Sequence, residues 1–288
     1  MGLNFIRAPG RYVFKRHYRA GLRSHIMEVL KQEDVEKEKR GVTIDGLTWY
    51  PKARPLRMLR IFRTRFKSLK QAEEELKRVK IVESYLAPDH LARSNEFLVD
   101  YRFQGHNHLI LCGLQEYVEG EILDPWSSLD TSYFASLFSR MGSGRQGNAD
   151  ITVDQWVAGI REEAGHFVGQ LKRMILEIKH VPDLAGIGNL LLTGSGKIKL
   201  VDINNISTVS FEAGIDLDDM GYPVCDKSIE ALYEFERKLV NRPVPETDPI
   251  QGVFLNPQRM KAVKALVDTF TFSIKLGTSS TSYPLSSR

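Results

Sequence analysis

Cysteine is scarce in this chain: Cys112 and Cys225 are the only two among 288 residues. Two thiols cannot form a disulfide framework, and no CxxC or Cys/His spacing suits a structural zinc ion. No apolar run approaches the ~18 residues of a membrane span. The opening residues, MGLNFIRAPGRYVFKRHYR, lack the apolar core of a signal peptide. Met1-Gly2 begins as myristoylated chains do, yet Ile6 stands where Ser or Thr is required. No internal repeat is present at a solenoid period. Charge of one sign is also missing, since 40 basic residues face 36 acidic ones for a net +4. These absences set aside disulfide scaffolds, zinc modules, membrane-spanning chains and repeat arrays. A reducing, cytoplasmic setting is expected.

What is present is a chain 42% hydrophobic, enough for a real core and for two domains. The basic residues gather early, at Arg11–Arg23 and Lys52–Lys70. Such a half suits phosphate or nucleic acid, or is simply a solvated basic surface. Val29–Arg40 reads as a helix end or solvated loop. GLTWYPKARPLRMLRIFR reads as two short strands around a Pro-containing turn. Ser68 caps a helix running to Leu86, with Leu69, Ala72, Leu76, Val79, Val82 and Leu86 at helical spacing and Pro88 ending it. Asn95–Phe103 and His108–Val118 read as strands turning at Gly105-His106-Asn107. Phe138–Asp150 is a Gly-rich loop. Val153–Ile178 is a long helix with one apolar face from Trp156 to Ile178. Leu190–Leu192 and Lys197–Val201 form a hairpin about Thr193–Gly196. Ser228–Val240 and Pro257–Phe272 are expected helices, and the tail 277–288 is expected to be disordered. Strands dominate before residue 118 and helices after it, which makes an α+β chain.

The stretch richest in chemistry is EIKHVPDLAGIGNLLLTGSGKIKLVDINN, Glu177–Asn205. A long helix runs into a loop bearing His180, Asp183 and Asn189, and a hairpin then ends on Asp202. Two carboxylates and an amide at one end of a hairpin suit a divalent cation that holds phosphates. One carboxylate is left to take a proton from an attacking hydroxyl. His180 is expected to bond loop backbone. His17, His25, His90, His106, His108 and His166 share no metal spacing, and Trp49, Trp126 and Trp156 are most simply packing residues.

On these residues the chain resembles the protein kinase and aminoglycoside phosphotransferase-like superfamily as a divergent member. His180-Val181-Pro182-Asp183 with Asn189-Leu190-Leu191-Leu192 is similar to the kinase catalytic loop, and Val201-Asp202-Ile203-Asn204 to the later metal-binding Asp motif. LCGLQEYVEG, Leu111–Gly120, looks like the strand and hinge that join two lobes. The helix with Glu73-Glu74-Glu75 is similar to the family's αC helix. The resemblance covers roughly residues 50 to 210. It implies a two-lobed kinase-like fold: a strand-rich N-lobe over 1–118 with one prominent helix, and a helical C-lobe over 119–276. It further implies ATP and Mg²⁺ as cofactors. Asp183 would be the catalytic residue, with Asn189 and Asp202 as metal ligands. Gln115 would be the gatekeeper, with the backbone of Glu116 and Val118 on the adenine edge. Glu75 would hold a phosphate-binding cation, drawn from Arg57, Arg60, Arg63 and Arg65, with Arg60 and Arg63 taken as the candidates.

The sequence also departs from that pattern. Arg replaces the strand Lys, and Arg does not reproduce a compact ammonium. Asp183 and Asn189 stand six apart where the motif has five, and His180 to Asp183 carries one extra residue. Gly41 and Gly46 are the only candidates for a phosphate-covering loop. Ile203-Asn204 replaces Phe-Gly. The expectation is therefore an ATP- and Mg-dependent phosphotransferase acting on an unknown acceptor, a protein or a small molecule. The alternative is a catalytically impaired pseudokinase serving as a nucleotide-binding regulator or scaffold. A third reading is nucleic-acid binding through the basic half, with Trp49, Tyr50 and Phe62 as stacking residues.

Overall fold

The computed structural model describes residues 9–17, 24–66, 68–103, 105–141, 151–203, 205–240, 245 and 247–279. The chain divides into two compact units, Met1–Glu119 and Gly120–Arg288. Together they form a mixed α+β protein. No helix among the described residues is long and apolar enough to cross a membrane.

The first unit is built on a five-stranded antiparallel sheet. Its strands are β1 (Tyr12–Arg16), β2 (Ser24–Lys31), β5 (Arg57–Phe66), β6 (Ser94–Phe103) and β7 (His106–Glu116), in the order β1-β2-β5-β7-β6. Val29, Leu59, Ile61 and Cys112 make a small core on one face, with Phe14, Met27, Val99, Ile110 and Leu114 against it. Three elements interrupt the run from β2 to β5. They are α1 (Gln32–Arg40) and a hairpin of β3 (Val42–Ile44) and β4 (Leu47–Trp49), which among the described residues pair only with each other. The stretch expected as a helix end or loop, Val29–Arg40, is thus the end of β2 followed by a complete helix. Val35 is the buried anchor of that helix, set on Leu30 and Ala53.

Helix α2 (Leu69–Leu86) follows β5 and has the boundaries the spacing predicts. The Ser68 side chain caps it by accepting from the Gln71 amide at 3.3 Å. Ala72, Val79, Val82 and Leu86 form its buried stripe, whereas Leu69 is exposed at the first turn. The β6–β7 turn is tighter than the sequence suggested. His106 is already in β7, and Gly105 takes the positive φ of 83° that the turn requires.

The second unit contains β8 (Glu121–Ile122), α3 (Thr131–Arg140), α4 (Val153–Ile178), β9 (His180–Pro182), β10 (Leu190–Leu192), β11 (Ile198–Leu200), β12 (Ile206–Thr208), α5 (Val224–Phe235), α6 (Pro249–Phe254) and α7 (Pro257–Ser279). Its axis is α4, whose residues from Trp156 to Ile175 bury Val157, Ile160, Ala164, Phe167, Leu171 and Met174. Thr152 and Gln155 close a capping box at its start.

Helix α3 corrects the sequence reading. Phe138–Arg140 belong to its last turn and not to a loop, and Asp130 caps its start. The remainder of that Gly-rich stretch, 142–150, lies outside the described residues. Helix α5 begins at Val224, four residues before the expected start, and passes into a π-helical turn over Glu236–Val240. Helix α7 continues through Gly277 to Ser279, where a disordered tail was expected; residues 280–288 lie outside the described residues. Asp226 of α5 and Arg259 of α7 form a buried ion pair at 2.5 Å. Arg259 also donates to the carbonyls of Glu212 and Gly214.

Candidate functional site

The second unit gathers Asp183, Asn189 and Asp202 through two strand pairings. Strand β9 delivers Asp183 just past Pro182, and β12 pairs antiparallel with β9, Ile206 opposite Pro182. The segment between β11 and β12, which carries Asp202, is thereby returned to the end of β9. Strands β10 and β11 pair with Leu190 opposite Leu200, so Asn189 and Val201 flank the same end of that hairpin. The Val201 amide donates to the Asn189 carbonyl at 2.8 Å, and the Asn189 amide nitrogen Nδ2 donates to the Asp183 carbonyl at 2.9 Å. Asp202 follows directly. Each of the three side chains is half-buried.

The extra residue between Asp183 and Asn189 is absorbed by a glycine turn. The Asn189 amide donates to the Gly186 carbonyl at 3.1 Å, closing a four-residue turn whose third residue, Gly188, has φ 93°. That position favours glycine for lack of a Cβ. The surplus is carried outward on Ile187, which is exposed, while Asn189 returns against Asp183. Gly186 is equally constrained, because a Cβ there would lie 2.5 Å from Asn189 Nδ2.

Asp183 has a divided environment. Its Oδ1 accepts from the amides of Ala185 and Gly186 at 3.0 and 3.1 Å. Burial and the nearby Asp202 carboxylate nevertheless push its carboxyl up to about 6, against the opposing pull of those amides and of Asn189. Tyr222 lies close enough for the Asp183 charge to contribute to its shift; burial first and that carboxylate second push the phenol up to about 12. The loop is pinned from behind. The Trp126 indole donates to the Ala185 carbonyl at 3.0 Å, and the Leu184 amide donates to the buried Ser228 hydroxyl at 3.2 Å. Lys227 sits over the Trp126 ring at 4.1 Å. His180 bonds the Ile178 carbonyl through Nδ1 at 2.6 Å, the backbone role expected of it.

Tyr222, Trp126 and Ser228 are the participants that the sequence reading missed. Each is far along the chain from Asp183, and none sits in a recognisable spacing.

The candidates of the first unit occupy β5, α2 and β7. Of the strand arginines whose side chains are described, Arg57 and Arg63 are exposed and Arg60 is 3% exposed. Arg60 stands opposite Gly113 in β7, and Gly113 in turn faces Glu96 in β6. A Cβ at 113 would sit 3.2 Å from the Ser94 hydroxyl and only in ordinary contact with Glu96. Simple alternation could not rank these arginines because β5 is irregular between Ile61 and Arg65. Glu75 pairs with Arg78 on its own helix at 3.6 Å.

Gln115 is buried, and its Nε2 has no hydrogen-bond partner among the described residues. Glu116 ends β7. Its amide donates to the Arg93 carbonyl at 2.8 Å, and its carboxylate receives the Arg93 amide and guanidinium. Val118 follows in the segment without regular structure that leads to Gly120. Gly41 and Gly46, the candidates for a phosphate-covering loop, instead stand at the base and in the tip turn of the β3–β4 hairpin. Trp49, expected in a core, is exposed on it.

The donor set at Asp183, Asn189 and Asp202 is hard oxygen, which fits Mg²⁺ completed by phosphate oxygens and water. Among the described residues no group of three or more His, Cys, Asp or Glu is placed to hold a metal ion by itself. The fit therefore depends on the Asn189 amide oxygen and on oxygens from a ligand. No protein-family model matches the chain, and no curated protein matches it either.

Proposed function

We propose that the chain is an ATP- and Mg²⁺-dependent phosphotransferase of the kinase-like class, with a protein or small-molecule hydroxyl as acceptor. In this reading the two units are a small strand-rich lobe and a larger helical lobe. The observation that carries it is the joining of Asp183, Asn189 and Asp202 at one end of the β10–β11 hairpin, in spite of the irregular spacing. Asn189 and Asp202 would hold the metal, which would supply neutralisation of the phosphate charge. Asp183 orients the acceptor hydroxyl and takes its proton as oxygen attacks the γ-phosphorus and ADP leaves. A base with a carboxyl near 6 is ionised at neutral pH yet more basic than an ordinary aspartate, which suits it to that work. For the first unit, the reading assigns Arg60, Arg63 and Glu75 to phosphate and Gln115, Glu116 and Val118 to the base. The Glu116 amide is already held by Arg93, so Val118 is the better placed to offer a backbone donor.

A pseudokinase is the second reading. It is favoured by the buried Arg60 on the basic strand in place of Lys, and by the engagement of Asp183 Oδ1 with two loop amides. Turnover separates the two. Asp183→Asn should leave nucleotide affinity nearly unchanged and lower phosphate transfer by about 10²- to 10⁴-fold. Equal turnover in parent and variant, with nucleotide still bound, would give the site to the pseudokinase.

A further inference from the structure

Among the described residues of the first unit, the β3–β4 hairpin is the most exposed apolar feature. Its register sets Val42 opposite Trp49, Thr43 opposite Thr48 and Ile44 opposite Leu47. Directly opposed residues share a face, and faces alternate along a strand. One face is therefore Val42, Ile44, Leu47 and Trp49, and the other is the threonine pair, joined Oγ1 to Oγ1 at 3.3 Å. Ile44, Leu47, Trp49 and the adjoining Tyr50 are 55, 63, 59 and 67% exposed. A two-stranded ribbon with a bare apolar face is marginal in water. This one is held at its base by Gly41, whose φ of 76° and tight approach to Thr48 and the Trp49 carbonyl admit no side chain.

The side chains are graded along the ribbon. Aliphatic Ile44 and Leu47 flank the two-residue Asp45-Gly46 turn at the tip. Trp49 and Tyr50 come next. Lys39, Arg40, Lys52 and Arg54 stand at the base, all exposed. Among the described residues Arg40 and Arg54 each hold a single exposed ion pair, with Glu36 and Glu119. Aliphatic tip, aromatic middle and cationic base match, in order, the acyl boundary, the headgroup level and the anionic surface of a bilayer. The three exposed side chains of the apolar face, Ile44, Leu47 and Trp49, cover on the order of 300–400 Å², short of the ~800 Å² per partner that a stable dimer buries. Base stacking would use the aromatics and leave Ile44 and Leu47 uncovered.

We propose that the β3–β4 hairpin is a docking finger for an anionic lipid bilayer, inserting Ile44, Leu47 and Trp49 at the interface while Lys39, Arg40, Lys52 and Arg54 meet the headgroups. Asp45 opposes docking by placing a negative charge at the tip. Its left-handed φ of 51° is one that Asn adopts equally well.

The test is flotation of the full chain with vesicles of phosphatidylcholine alone and of phosphatidylcholine containing phosphatidylserine. The chain should float with the anionic vesicles only, and high salt should release it. Leu47→Asp and Ile44→Asp should each weaken partition about ten-fold or more. Lys52→Gln should weaken it about five-fold, and Asp45→Asn should strengthen it about five-fold. These positions are exposed, so circular dichroism should match the parent in every variant. Failure to float with anionic vesicles, or flotation unchanged by Leu47→Asp, overturns the proposal. So does single-stranded nucleic acid binding that Trp49→Ala removes while vesicles are ignored, or a dimer that Leu47→Asp dissociates.

Discussion

At the scale of single residues the site is organised around Asp183, and its thermodynamics can be tested without knowing any substrate. Its carboxyl moves from 3.8 to about 6 on folding because burial and Asp202 disfavour the charged form. The shift is upward, so the ionised carboxylate opposes folding above about pH 6, and the penalty vanishes once both states are protonated below about pH 4. Two pH units correspond to about 3 kcal/mol as an upper bound. Asp183→Asn keeps an Oδ1 acceptor for Ala185 and Gly186 and removes the charge. It should raise stability at pH 8 by up to ~3 kcal/mol in denaturant unfolding, with the gain fading below pH 6 and gone below pH 4. Loss of stability at pH 8 would mean that the carboxylate is held favourably and is not a strained catalytic group. The three site residues were legible because Asp, Asn and Asp are unusual in and around short apolar strands. The glycine turn that absorbs the extra residue was present in the letters as Gly186-Ile187-Gly188. Its effect on Asn189 depends on backbone angles that spacing does not state. Tyr222, Trp126 and Ser228 reach the loop only through tertiary packing.

At the scale of elements, legibility followed periodicity and caps. Helices α2 and α4 have strong 3.6-residue patterns behind Ser68 and Thr152, and both begin and end as the sequence predicts. Helix α3 was missed because its apolar residues, Tyr133, Phe134, Leu137 and Phe138, are few and run into a Gly-rich stretch. The end of α7 was missed because Gly277-Thr278-Ser279 are poor helix formers that the helix nonetheless includes. Two substitutions probe the second unit directly. Thr152→Ala breaks the capping box of α4 and should cost about 1 kcal/mol in thermal or denaturant unfolding. Asp226→Ala leaves Arg259 buried without its carboxylate and should cost about 3–5 kcal/mol. The second loss should exceed the first several-fold. Near-equal losses would show that the α5–α7 ion pair contributes little to this unit.

At the scale of the molecule, composition and element order anticipated a mixed α+β chain that changes character near residue 118, and the two units meet in sequence at Glu119 and Gly120. The placement of the β3–β4 hairpin was not legible. Its alternating apolar residues look like those of a half-buried strand, and nothing in them says that Ile44, Leu47 and Trp49 are exposed among the described residues. The third reading, nucleic-acid binding, needed Trp49, Tyr50 and Phe62 exposed together. Phe62 is buried, so that stacking set is incomplete. The kinase-like account rests on nucleotide binding that depends on metal through Asp202. The most direct measurement is the thermal shift of the full chain with ATP, with and without Mg²⁺, in the parent and in Asp202→Asn. Nucleotide at a hundredfold its dissociation constant should stabilise the parent by about 2.7 kcal/mol. The account predicts that this gain requires Mg²⁺ and is largely lost in Asp202→Asn. No shift in the parent at millimolar nucleotide with Mg²⁺, or a shift of equal size in Asp202→Asn, would contradict it.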